Sequence, residues 1–148
     1  MEDVKTVDPE IVRTSLGQRP VTEVAVGILI RLNGDFLMTT RPVGKAYAGY
    51  WEFPGGKLEA NETVIEALRR ELIEEIGVTI QDVQVWRSSM VDYPHALVRL
   101  TFCKIFAWTG QLHMRESQQF AWQRLPVQVA PVLAGTIPVI QWLENEVV

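Results

Sequence analysis

Three glutamates, Glu71, Glu74 and Glu75, stand at i, i+3 and i+4 in a segment with helical periodicity. That spacing puts their carboxylates on one helical face, with Cβ atoms about 5–6 Å apart. One reading is a solvated acidic face, the usual fate of a charge run. The other is a divalent-cation site. Like charges so spaced destabilise a helix by about a few tenths of a kcal/mol per pair, and no lysine is interleaved. Glu74 and Glu75 also lie in the last turn, where the helix dipole disfavours negative charge. Such breaks of local rules tend to fall at functional sites. Clustered carboxylates suit Mg²⁺, which prefers oxygen ligands and often bridges protein carboxylates to substrate phosphates. Spacing alone leaves both readings open.

The helix that carries them has its own signals. Thr63 and Glu66 form a capping box, Ile65, Leu68, Leu72 and Ile76 recur at core-facing spacing, and Gly77 is placed as a C-terminal stop. Before it, Val24–Arg31 reads as a buried strand, Asn33-Gly34 as a tight turn and Phe36–Thr40 as the returning strand. Pro42–Tyr50 reads as a mobile loop, and Trp51–Pro54 as an extended piece leading to Gly55-Gly56. After it come strands over Val83–Val91 and Leu97–Ala107, joined through Asp92-Tyr93-Pro94, and a short strand over Phe120–Leu125. A last helix over Ile137–Glu144 should bury Ile137, Ile140 and Leu143 or their neighbours. Strands interrupted by one strong helix, with another at the end, predict an α/β fold: a mixed β-sheet sandwiched between helices. Met1–Thr22 reads as an extension open to partial disorder, and residues 23–148 as the folded domain.

The bulk numbers exclude several classes. With 148 residues and 47% hydrophobic content, the chain fits one domain that needs no disulfide or structural metal. A formal charge of −4 argues against a nucleic-acid polymer as partner, though a bound divalent metal would still admit small anions. No apolar run reaches membrane-spanning length, and no signal-peptide core stands at the start, so the expected location is the cytoplasm. The lone cysteine, Cys103, reads as a small buried residue in a reducing compartment. His95 and His113 are isolated and read as loop or surface histidines, and the five tryptophans as core.

Gly56, Glu62, Arg70-Glu71, Leu72, Glu74-Glu75, Gly77 and Val78 follow G-x5-E-x7-R-E-U-x-E-E-x-G-U, which resembles the Nudix box at every defining position. Val24-Ala25-Val26-Gly27, Thr40-Arg41 and Trp51-Glu52-Phe53-Pro54-Gly55-Gly56-Lys57 resemble its MutT branch. The resemblance, which covers about Val24 to Leu143, implies the Nudix fold and an Mg²⁺-dependent hydrolase, with Mn²⁺ as a possible substitute. It implies metal ligands at Glu71, Glu74, Glu75 and the Gly56 carbonyl, with Glu62 supporting the box. Arg70 would orient a glutamate; Arg41 and Lys57 would contact phosphate, arginine in bidentate fashion; and Phe53 would border a nucleobase. Glu116 matches a loop glutamate that binds metal or activates water in such proteins. Glu71 and Glu116 both stand as candidates for the general base.

The MutT-like reading implies hydrolysis of a nucleoside triphosphate to the monophosphate and pyrophosphate, with 8-oxo-dGTP or a related purine nucleotide leading, as in nucleotide-pool sanitation and DNA repair. One departure bears on this. Guanine- and cytosine-nucleotide relatives carry Asn or Asp two residues before a proline, and here Thr136 precedes Ile137-Pro138. A hydroxyl is shorter and discriminates less than an amide. The alternatives are another Nudix substrate, such as a pyrimidine triphosphate, nucleotide sugar or dinucleoside polyphosphate, or a non-catalytic nucleotide sensor. An intact box speaks against the last.

Overall fold

The computed structural model describes residues 5–7 and 19–146, with side chains for the second stretch. In chain order these form β1 (Lys5–Val7), β2 (Val21–Leu29), β3 (Phe36–Thr40), β4 (Trp51–Glu52), β5 (Gly55–Lys57), α1 (Val64–Ile76), β6 (Thr79–Tyr93), β7 (Ala96–Thr109) and β8 (Phe120–Gln123). A 3₁₀ turn (Ala134–Thr136) then leads into α2 (Ile137–Glu146).

The main sheet has the order β1-β6-β7-β2-β5 and is mixed: β2 runs parallel to β7, and its other pairings are antiparallel. Side chains alternate across β2 as strand geometry requires. Ala25 and Leu29 face a core shared with Leu68, Leu72 and Ile76 of α1. Val26 and Ile28 face the opposite core, shared with Val139 and Leu143 of α2. The sheet is therefore sandwiched between helices, as expected. Gly27 allows the close approach of α1, since a Cβ there would lie 2.8 Å from Ile105 Cδ1 and 3.2 Å from Leu68 and Leu72 methyls.

The structure corrects several details. Phe36–Thr40 does not return alongside β2 in one sheet; β3 pairs with β4 and β8 in a second, three-stranded sheet. An Ile30–Phe36 bridge, the Arg31–Asp35 backbone bond of 2.8 Å and an Arg31–Asp35 ion pair at 3.1 Å hold the two strands at the turn. The segment expected to lie outside the fold supplies β1, paired with β6, and β2 begins at Val21, inside that segment. Residues 1–4 and 8–18, the rest of the stretch read as open to disorder, lie outside the described residues. β6 and β7 extend beyond their expected ends: at one end register shifts at Ile80/Asp82, Asp82/Val83 and Val85/Arg87 interrupt the apolar alternation without ending the pairing, and at the other regular pairing continues to Tyr93 and Ala96. In α2, Ile137 is 45% exposed and Val139 is buried in its place. The tryptophans are half-buried at the core margins: Trp108 stacks on Trp122, and Trp86 meets Trp142 edge-on. Among the described residues no helix is long and apolar enough to cross a membrane.

Candidate active site

A cavity of about 550 Å³ opens over β2, β5 and the last turns of α1. The capping box fixes where α1 starts: Glu66 N–H donates to Thr63 Oγ1 at 3.1 Å, and Thr63 N–H donates to Glu66 Oε1 at 2.9 Å. Gly77, at φ 75°, stops it: its N–H donates to the Ile73 carbonyl at 3.2 Å, and Val78 N–H donates to the Leu72 carbonyl at 3.4 Å. Glu71 and Glu75, one turn apart, then face the cavity. Gly56 of β5 lies against the Glu71 carboxylate, and a Cβ at that position would come within 2.3 Å of Glu71 Cδ. Gly55 is equally constrained, since its Cβ would stand 2.0 Å from the Ala25 carbonyl oxygen.

Arg70 locks this arrangement from behind. It donates to both Glu62 oxygens at 2.8 Å, to Glu71 Oε1 at 2.8 Å and to the Lys57 carbonyl at 3.0 Å. Those bonds from Arg70, with another from Glu59 N–H, pull the Glu62 carboxyl down to about 2. Glu62 and Arg70 thus tie the end of β5, which carries Gly56, to the helix carrying Glu71.

Glu116 reaches the cavity on a loop docked at two places. Arg115 N–H donates to the Glu75 carbonyl at 3.0 Å, capping the end of α1, and Gln119 N–H donates to Thr40 Oγ1 at 2.8 Å. Glu52 joins from β4. Burial, then the charges of Glu71, Glu116 and Glu52, push the Glu75 carboxyl up to about 8. Burial also raises Glu52, against the pull of Arg41. Mutually repelling carboxylates beside a glycine carbonyl form the donor chemistry a hard divalent cation fits. Among the described residues no three of them already converge at ligating geometry. Three of the four are turned toward a cation: Glu71 toward Arg70, Glu52 toward Arg41 and Glu116 toward Lys45. Glu74 is not among the lining residues; its side chain is 59% exposed and lies 3.5 Å from Arg70.

Arg41, Lys57, Phe53 and Thr136 all line the same cavity. Arg41 is largely committed, its Nε to the Ala46 carbonyl at 2.6 Å and its Nη1 to Glu52 at 3.0 Å. Phe53 is buried against Phe36, with ring centroids 5.9 Å apart. Thr136 is 4% exposed. Lining residues that sequence reasoning missed are Glu52, Lys45, Tyr47 and Tyr93. An acid inside the apolar run Trp51-Glu52-Phe53 was a usable signal for the first; the others come from loop and hairpin positions without a local pattern. His95 is an exposed loop histidine, as expected, yet it borders the cavity stacked on Tyr93 at 5.3 Å.

Known proteins resemble this chain in sequence and fold. The family profile described as the NUDIX domain matches residues 21–143. The 8-oxo-dGTP diphosphatase of Haemophilus influenzae is 35% identical over 104 residues, 70% of this chain and 76% of that one. The CTP pyrophosphohydrolase of Escherichia coli is 32% identical over 97 residues, 66% of this chain and 72% of that one. A solved structure from work on MutT of Aliivibrio salmonicida and Vibrio cholerae superposes with a TM-score of 0.71 at 30% identity, covering 86% of this chain and 99% of that one.

Proposed function

This chain belongs to the Nudix family as a MutT-like hydrolase, and from that premise we propose that it splits a nucleoside triphosphate into the monophosphate and pyrophosphate, with 8-oxo-dGTP or a related purine nucleotide as leading substrate. The observation that carries this reading is the single cavity lined by Gly56, Glu71, Glu75 and Glu116 together with Phe53 and Thr136. A phosphate chain and a base need such neighbours. Glu71, Glu75, Glu116 and the Gly56 carbonyl would hold the cofactor, Mg²⁺, with Mn²⁺ as substitute. Glu74, whose exposed carboxylate lies 3.5 Å from Arg70, would complete the set. When bound, the metal neutralises phosphate charge and lowers the pKa of water.

The chain's own groups do the rest. Arg70 holds Glu71 Oε1 and so fixes the direction of the carboxylate. Glu71 and Glu116 are the candidates for taking the proton of the attacking water. Lys57 and the remaining N–H groups of Arg41 bind phosphate oxygens, and Phe53 packs beside the base. Sanitation of a nucleotide pool by such an enzyme places it in the cytoplasm.

A pyrimidine triphosphate is the second reading, favoured by the similarity to the CTP pyrophosphohydrolase. Pyrophosphate release from 8-oxo-dGTP, the common dNTPs and NTPs, ADP-ribose and a dinucleoside tetraphosphate, with Mg²⁺ and with EDTA, tests both. Metal-dependent release concentrated on 8-oxo-dGTP supports the first reading; concentration on CTP or dCTP replaces it with the second.

A further inference from the structure

Three cations line the cavity, and they are bound very differently. Arg41 is held by Glu52 and the Ala46 carbonyl. Lys57 makes no ion pair among the described residues, and its carbonyl is taken by Arg70. Lys45 lies between these extremes: its Nζ is 3.9 Å from Glu116 Oε2, with the two side chains 51% and 37% exposed. That is a loose pair across the cavity mouth, between the loop of residues 42–50 and the docked loop of Glu116.

The first loop is built to aim Lys45. Its base is closed by Arg41 N–H to the Tyr50 carbonyl and Gly49 N–H to the Arg41 carbonyl, both 2.9 Å. Arg41 Nε staples its middle at Ala46. Tyr47, at φ 59°, sends its ring toward Tyr93, with centroids 5.9 Å apart. Gly44 and Gly49, at φ 94° and 85°, supply the left-handed turns on either side. With Ala46 and Tyr47 fixed, Lys45 is left beside the acids, where its charge also acts on Glu75 and Glu52.

We propose that Lys45 is a positioning residue with two alternate partners. In the metal-free protein it is the counter-ion of Glu116 and the acids behind it; when a divalent cation and a nucleotide enter, Glu116 turns to the metal and Lys45 passes to the substrate's phosphates. The proposal rests on the reading of the site as a metal-dependent triphosphate hydrolase. The same loose geometry serves both states, because an ammonium on a flexible stem binds as a point charge without a fixed fork.

The test uses the full chain and two variants, Lys45→Met and Lys45→Arg. Titration with Mn²⁺ alone should show Lys45→Met binding the metal roughly three- to tenfold more tightly than wild type, since a competing charge is gone, with Lys45→Arg close to wild type. For the best triphosphate, Lys45→Met should raise KM about tenfold while kcat changes much less, and Lys45→Arg should restore most of the loss. Unchanged or weaker Mn²⁺ binding in a Lys45→Met protein with wild-type circular dichroism overturns the proposal. So does tighter Mn²⁺ binding with unchanged KM, because one of the two partners is then missing. If the wild type hydrolyses nothing in the panel, the functional reading fails separately, and the Mn²⁺ titrations still uphold or overturn the pairing with Glu116.

Discussion

Glu75 meets the cavity with a carboxyl that burial and three neighbouring acids push up to about 8, a costly place for a negative charge unless something positive arrives. Glu75→Gln keeps the shape and removes the charge, so kcat should fall at least about a hundredfold while the circular dichroism spectrum stays unchanged. Near-normal turnover in a folded variant would remove Glu75 from the ligand set. Thr136 poses a question of selectivity instead. It is buried at the cavity with one short hydroxyl, whereas an amide offers a donor and an acceptor at once. Thr136→Asn should therefore shift the ratio of kcat/KM values toward 8-oxo-dGTP, and an unchanged ratio would mean that the side chain does not meet the base. Both residues were named from the sequence, because one lies in a dense spacing pattern and the other takes the place, two residues before Pro138, where the relatives it resembles carry Asn or Asp.

Helix α1 and the turn between β2 and β3 carry effects that belong to elements. Removing the reciprocal cap with Thr63→Ala should lower unfolding stability by about 1 kcal/mol, read from the urea midpoint, without changing which residues face the cavity. At the turn, burial works to raise the Asp35 carboxyl, but bonds from Arg124, Arg31 and Asn33 outweigh it and hold it below its ordinary value. A carboxylate depressed in the folded state stabilises fully above its unfolded pKa, and the contribution is lost as pH falls through the folded value. Wild-type urea midpoints should thus drop below about pH 4, and Asp35→Asn should be weaker at pH 7 yet show a shallower acid decline. Equal acid slopes for the two proteins would show that Asp35 contributes nothing to that limb. The sequence foretold the turn but not the divergence of its strands, since local residues specify a reversal and not which neighbour each strand then pairs with.

At the scale of the whole molecule, the proposed ligands come from β5, α1 and the loop before β8, so a bound cation would tie together segments that only the folded chain assembles. Anything that binds the native state alone stabilises it by mass action. Adding Mg²⁺ at about a hundredfold over its dissociation constant should stabilise by about 2.7 kcal/mol, or roughly 5–10 °C in Tm for a chain this size, and EDTA should reverse it. A Tm insensitive to Mg²⁺ and Mn²⁺ would count against a metal site built from these segments.

The sequence by itself determined the glutamate-bearing helix, its start at Thr63, its stop at Gly77, the glycine loop before it and the family to which these belong. All of these rest on contacts within a few residues, where spacing translates directly into geometry. Tertiary structure alone decided that Glu52 joins the acids, that Lys45 faces Glu116, that Tyr93 and His95 border the same cavity, and that β3 leaves β2 for a separate sheet. Those relations depend on strand pairing and loop docking between distant segments, set by the burial of two cores on opposite faces of β2, and no local pattern encodes them.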